Sequence, residues 1–173
     1  AVLLAKTYNV KHILNLSNMK YAYDKDPNKF KNAKKIERMD WLTFRKQVVG
    51  MKAEFGPGGN APFDPVASKM AHKQDIQVDI LQGTNLKEVL DNEKCSTIVI
   101  VGLTTDHCIS TTTRMAGNFG YETYVISDAT ATFDKEGLSG ERFSSEEVHQ
   151  ISLASLQNEF ATVLKYEQLL NMK

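Results

Sequence analysis

The sequence predicts an α/β fold with three layers, helix, sheet and helix, around a doubly wound and mainly parallel sheet. From about Gln82 onward, strand and helix patterns alternate along the chain, which is typical of parallel sheets with right-handed crossovers. Residues 95–102 form a continuous apolar run, as in a strand covered on both faces. A length of 173 residues with 42% hydrophobic content supports one core, so we expect residues 1–173 to form a single domain.

Local signals place the elements of the second half. Thr105 is the expected N-cap of a helix whose apolar residues follow at helical spacing, and Gly120 is its expected C-terminal stop. Ser144 followed by Glu147 is a capping-box pattern. The predicted elements, in order, are a helix over 86–92, a strand over 95–102, a helix over 106–118, a strand over 122–127, a helix from Ser144 or Ser145 to about 156, a strand over 160–164 and a helix over 166–170.

The pattern of the first half is less regular, and it contains more polar and charged segments. The predicted elements are a short helix over 1–8, a strand over 11–16, a loop plus helix over 21–36, a helix over 41–49, a turn-rich loop over 56–60 and a strand over 76–81. Two interpretations of the start stay open: residues 1–4 are the stub of a first strand, or residues 4–14 are a first helix and a second strand that follow a missing strand. In both, the N-terminal strand of the sheet is expected to be missing or divergent.

Charge and composition exclude several functional classes. The 21 basic and 21 acidic residues give a formal net charge of zero, which argues against nucleic acid or an anionic membrane as the main partner. No apolar run approaches the ~20 residues of a membrane span, and no signal peptide is visible. The two cysteines, Cys95 and Cys108, are too few for a disulfide framework. We therefore expect a cytoplasmic protein.

The most informative segment is TIVIVGLTTDHC, residues 97–108. An apolar strand leads through Gly102 and a short turn to Cys108 at the expected start of a helix. The first turn of a helix presents unpaired N–H groups and the positive end of the helix dipole. A thiol at this place ionises more easily, and the thiolate is the nucleophile, so the segment predicts a reactive cysteine.

This segment also carries a family resemblance. Residues 102–133 (GLTTDHCISTTTRMAGNFGYETYVISDATATF) resemble the signature of the isochorismatase-like cysteine hydrolases, which include isochorismatases, nicotinamidases and N-carbamoylsarcosine amidases. The tail 146–164 and the segment Gly83-Thr84-Asn85-Leu86 are similar to the same group, so the resemblance covers roughly 83–170. It implies a Rossmann-like α/β fold and hydrolysis of a small amide, or a related C–N or vinyl-ether substrate, through a thioester.

The resemblance implies roles for individual residues. Cys108 matches the nucleophile, and the backbone N–H groups of Thr104 and Cys108 match the oxyanion hole, where the preceding peptide bond, Leu103–Thr104 here, is cis in the family. The residues expected to bind substrate are Leu103, Thr105, Thr130 and Phe133. The aspartate–histidine metal cluster of nicotinamidases is not visible, so we expect neither metal nor cofactor. The expected partners are a small-molecule substrate and further copies of the chain, as a dimer or tetramer.

Two catalytic groups of the family have no clear counterpart. The family places an aspartate at the end of its first strand and a lysine about eight residues before the glycine at position 83. Asp75 stands at that spacing, and Lys73 is the nearest candidate lysine. Three interpretations stay open. The sequence is a truncated or incompletely determined sequence of an active enzyme, the protein is a divergent enzyme that recruits Lys73 and another acid, or it is a non-catalytic binding protein on the same fold. A carboxylate and an ammonium group within hydrogen-bonding distance of the Cys108 sulfur would favour catalysis.

Overall fold

The chain folds into two compact units, Ala1–Leu86 and Lys87–Lys173. The computed structural model describes residues 1–17, 21–25, 27, 29–49, 63–82 and 86–172. The predicted loop over 56–60 and the segment Gly83-Thr84-Asn85 lie outside the described residues.

The first unit is built around a parallel pair of strands. Its elements are α1 (Val2–Thr7), β1 (His12–Ser17), β2 (Ala22–Tyr23), β3 (Lys35–Ile36), α2 (Trp41–Phe44) with a π-helical continuation (Arg45–Val49), α3 (Pro65–Lys73) and β4 (Gln77–Gln82). Strand β1 pairs with β4 in parallel, from His12 opposite Gln77 to Ser17 opposite Gln82. Val2, Ala5, Ala71 and Ile76 form the buried core, so α1 and α3 are held by their small and aliphatic residues.

Two parts of the first unit differ from the sequence prediction. Residues 21–36 were predicted as loop plus helix, but the described residues there contain the antiparallel pair β2–β3 and no helix. The Asp24 carboxylate accepts a hydrogen bond from the Lys34 N–H at 2.8 Å, which helps to hold β2 against β3. The two residues are 10 positions apart, so the pattern of neighbouring residues does not predict this contact. Helix α3 was not predicted, although Asp64 caps it and Pro65 stands in its first turn, both ordinary start signals.

The second unit contains a three-stranded parallel sheet. Its elements are α4 (Leu86–Asn92, which begins at the unit boundary), β5 (Thr97–Leu103), a π-helical turn (Thr105–Ile109), α5 (Ser110–Asn118), β6 (Glu122–Ala131), β7 (Lys135–Glu136), β8 (Arg142–Phe143), α6 (Ser145–Ala154), β9 (Thr162–Leu164) and α7 (Tyr166–Leu170). The sheet order is β5–β6–β9. Its core comprises Ile100, Ile109, Ala116, Val125, Leu153 and Ala161. The prediction of an α/β fold with mainly parallel sheets is therefore confirmed.

The capping signals of the second unit are confirmed in detail. The Ser144 hydroxyl accepts from the Glu147 N–H at 3.3 Å, and the Glu147 carboxylate accepts from the Ser144 N–H at 2.8 Å, so both halves of the capping box are formed. Gly120 lies just beyond α5 with φ of +85°, a conformation that favours glycine. Within the described residues, no helix has both the length and the apolar character needed to cross a membrane.

Candidate active site

The predicted reactive segment forms a sharp turn between β5 and α5. Gly102 has φ of +126°, a backbone conformation that side chains rarely adopt, and the Leu103–Thr104 peptide bond is cis. Thr105–Ile109 then form a π-helical turn, in which the Ile109 N–H donates to the Thr104 carbonyl at 3.2 Å. Cys108 lies inside this turn, immediately before α5.

The start of this helical segment differs from the prediction by one residue. Thr104, with extended backbone angles, is the N-cap residue, and its side chain makes no capping bond. Thr105, the predicted cap, is instead the first helical residue and is fully buried. Its hydroxyl lies 2.8 Å from His149 Nδ1, in a hydrogen bond to α6. The predicted N-cap is therefore wrong, because the hydroxyl of Thr105 is used for a contact between elements.

Asp106 lies at the centre of a polar network beside the cysteine. Its side chain is only 14% exposed, and Lys135 Nζ approaches Oδ2 to 2.7 Å. The Thr132 hydroxyl donates to Oδ1 of the same carboxylate. Burial alone would raise the pKa of Asp106, but the hydrogen bonds from Lys135 and Thr132 outweigh it and hold that pKa well below its ordinary value. Asp106 is therefore an anion at neutral pH.

His107 extends this network to the cis peptide. Its Nε2 lies 3.1 Å from Lys135 Nζ and 3.3 Å from Asp106 Oδ2, while its Nδ1 lies 3.2 Å from the Thr104 hydroxyl. The His107 side chain itself is 64% exposed. The three residues that precede Cys108 in the turn are thus fixed by partners on later elements.

Cys108 is exposed, and its surroundings differ from the arrangement expected of the family. Among the residues that the structure describes, no carboxylate or ammonium group hydrogen-bonds to its thiol. Lys73, the candidate lysine, is an exposed residue in the last turn of α3, in the first unit. The expectation that Lys73 serves Cys108 therefore stays a prediction.

The four residues expected to bind substrate divide into two kinds. Leu103 and Phe133 are exposed, at 62% and 67%, so both present apolar surface. Leu103 directly precedes the turn, and Phe133 follows β6. Thr105 and Thr130 are buried, and the Thr130 hydroxyl donates to the Ser127 carbonyl at 3.2 Å. Both threonine hydroxyls are thus engaged within the protein. Thr130 lies opposite Gly102 in the sheet register, so it supports the turn from β6.

Sequence reasoning did not single out Lys135 or predict the contact made by His149. Lys135 stands two residues after the segment DATATF, residues 128–133. Its contacts to Asp106 and His107 span 28 residues or more, and the contact of His149 to Thr105 spans 44. No local pattern reveals such pairings. Within the described part of the chain, no group of three or more His, Cys, Asp or Glu side chains is placed to hold a metal ion.

Comparison with known proteins identifies the family. The isochorismatase domain model matches residues 18–168. The chain belongs to the isochorismatase family. An isochorismatase family protein of Bacillus subtilis, YrdC, is 53% identical over 89 residues, which cover 51% of this chain and 48% of that protein. A uridylate kinase of Methanococcoides burtonii is 31% identical over 93 residues, which cover 53% of this chain and 38% of that protein.

Solved structures support the same fold. A proposed hydrolase of the isochorismatase family from Chromobacterium violaceum matches with a TM-score of 0.55 and 28% identity, over 66% of this chain and 62% of that one. A cysteine hydrolase from Pseudomonas syringae has a TM-score of 0.61 and 20% identity, over 98% of this chain and 75% of that one. The predicted isochorismatase-like α/β fold is confirmed. The chain spans about half the length, or less, of the two curated relatives described above.

Proposed function

We propose that this protein is a cysteine-dependent hydrolase of a small amide or a related substrate. The observation that carries the proposal is the placement of Cys108: it is exposed in a tight turn between the parallel strand β5 and α5. Ligands of open α/β sheets bind beyond the carboxyl ends of the strands, and β5 ends at Leu103, five residues before the thiol. Family membership and the Chromobacterium relative support the same reaction class.

The proposed chemistry needs a thiolate, an oxyanion site and water. The Cys108 thiolate forms a bond to the carbonyl carbon, and the carbonyl π electrons move to oxygen, where the N–H groups of Thr104 and Cys108 are the proposed donors. Collapse of this intermediate breaks the C–N bond, and the leaving amine takes up a proton from solvent, which balances the proton that the thiol gives up when it forms the thiolate. Water then attacks the thioester, giving the carboxylic acid and restoring the thiol.

The first experiment compares the two cysteines of the chain. Both Cys95 and Cys108 are exposed, so each reports its own reactivity with iodoacetamide under the same conditions. We expect Cys108 to be alkylated at least about ten times faster than Cys95 near neutral pH, because the proposed role requires a nucleophilic thiol at Cys108 and none at Cys95. Equal rates would contradict the activation of Cys108.

The second experiment measures turnover on a panel of small primary amides by release of ammonia. Cys108→Ala and Cys108→Ser should abolish hydrolysis, whereas Cys95→Ala, the matched control, should leave it unchanged. Retained turnover in Cys108→Ala would refute the mechanism.

A non-catalytic binding function is the alternative, and it is favoured by the lack of a charged partner for the thiol among the described residues. That function predicts binding of small amides without release of ammonia.

A second candidate function concerns the first unit. The likeness to uridylate kinase covers 93 residues, 53% of the chain. The hydrolase motifs quoted above lie within 83–170, whereas the match to the isochorismatase domain model extends over 18–168. We infer that Ala1–Leu86 carries the kinase-like part and binds a nucleoside phosphate. Titration calorimetry with UMP, UDP and ATP, each with and without Mg²⁺, tests this inference. Saturable binding that survives Cys108→Ala is expected, and the absence of heat with all three nucleotides would exclude it.

A further inference from the structure

We propose that Lys135 is a positioning residue, which holds the Thr104–Cys108 turn in its reactive geometry by binding Asp106 and His107 together. The inference rests on the hydrolase function proposed above, and it goes beyond that function by assigning a part to a residue outside the reacting turn. Lys135 begins β7, and its Nζ lies 2.7 Å from Asp106 Oδ2 and 3.1 Å from His107 Nε2.

The contact with Asp106 is the stronger part of this link. The Asp106 side chain is largely buried, and a buried carboxylate is tolerated only where charges or hydrogen bonds compensate for lost water. Lys135 supplies the charge, and Thr132 supplies a neutral donor to the other carboxylate oxygen. Without Lys135, the carboxylate would have to turn toward solvent, and Asp106 is two residues before Cys108. Removal of the ammonium group is therefore expected to move the turn.

The contact with His107 reaches the proposed oxyanion donor. His107 Nε2 lies 3.1 Å from Lys135 Nζ, and Nδ1 of the same ring lies 3.2 Å from the Thr104 hydroxyl. Thr104 is the residue whose N–H is proposed to donate a hydrogen bond to the oxyanion. Lys135 thus holds the segment before the cysteine at two points, Thr104 through His107 and the helical turn through Asp106.

The segment that carries Lys135 is itself anchored. Lys135 pairs with Phe143 in the β7–β8 hairpin, and the next residue, Ser144, caps α6. The Asp134 carboxylate accepts a hydrogen bond from the Ser145 N–H at 2.8 Å, which ties the start of the hairpin to the start of α6. These contacts give the ammonium group a defined position, although the side chain of Lys135 is one-third exposed.

The test compares Lys135→Met with Lys135→Arg and with a control, Lys87→Met. Lys87 also pairs with a carboxylate, that of Asp91 in α4, but it has no contact to the turn among the described residues. In Lys135→Met we expect kcat for amide hydrolysis to fall roughly 10²-fold with a smaller change in KM, because misplacement of a catalytic turn by about 1 Å has an effect of this size. Lys135→Arg should restore most of kcat, since the guanidinium group keeps the charge and the donors.

A second measurement does not depend on turnover. Amide ¹H–¹⁵N chemical shifts of Thr104, Asp106 and Cys108 should change in Lys135→Met and stay unchanged in Lys87→Met. If Lys135→Met leaves these shifts and kcat at the values of the unmutated protein, the positioning role is refuted while the hydrolase function stands. If the unmutated protein hydrolyses no amide, the proposed function fails, and the amide shifts alone decide whether Lys135 holds the turn.

Discussion

Gly117 offers a sharp test of how tightly α5, the helix that follows Cys108, is packed. A Cβ atom at Gly117 would lie 2.6 Å from the Phe160 carbonyl oxygen and 3.0 Å from its Cα. Both atoms belong to the backbone before β9, so neither moves easily. In an unobstructed helix, Gly→Ala stabilises by about 1 kcal/mol. Overpacking against fixed atoms costs about 1–3 kcal/mol, and a distance this short belongs at the upper end. We therefore expect Gly117→Ala to lower the free energy of unfolding by about 1–2 kcal/mol.

The assay is urea denaturation followed by circular dichroism, with the same slope of free energy against urea required in each variant. Asn118→Ala is the matched control, because it raises helix propensity at an exposed neighbouring position without a new contact. The control should be neutral or slightly stabilising. If Gly117→Ala were as stable as the control, the close approach of α5 to Phe160 would not constrain the protein, and the reasoning from the 2.6 Å distance would fail.

Three further predictions concern the site and its support. Because Asp106 has a lower pKa when folded than when unfolded, its contribution to stability is present above about pH 4 and is lost as the pH falls through the folded pKa. Urea titrations across the acid range should show this loss, and Asp106→Asn should remove part of it; an identical acid limb would contradict the assignment. Ser144→Ala should destabilise by about 1 kcal/mol in thermal melting, through loss of the cap on α6. Thr105→Val should cost about 1–3 kcal/mol in urea denaturation, because it leaves His149 Nδ1 without its partner, and an unchanged midpoint would refute that hydrogen bond.

The sequence predicted those features that depend on neighbouring residues. The bounds of α4 and α7 agree with prediction, and so do the capping box at Ser144 and the stop at Gly120, since each follows from residues within one helical turn. Strand β6 is longer than predicted, because Thr130 and Ala131 pair with β5 again after a shift in register. The hairpin β7–β8 and the pair β2–β3 were not predicted. Strands of two residues carry no usable periodicity, and only their partners define them.

The candidate site likewise combines a motif that neighbouring residues define with contacts between residues far apart in the sequence. The Gly102–Cys108 motif locates the thiol because strand, turn and helix start follow one another directly. The groups that fix the turn come from elsewhere: Lys135 and His149 approach it from a hairpin and from α6. They bind the residues beside Cys108, while the thiol itself has no charged partner among the described residues. The proposed mechanism therefore relies on the backbone N–H groups of the turn. A turn held in place by Lys135 presents these N–H groups in fixed positions, whereas a mobile turn would not.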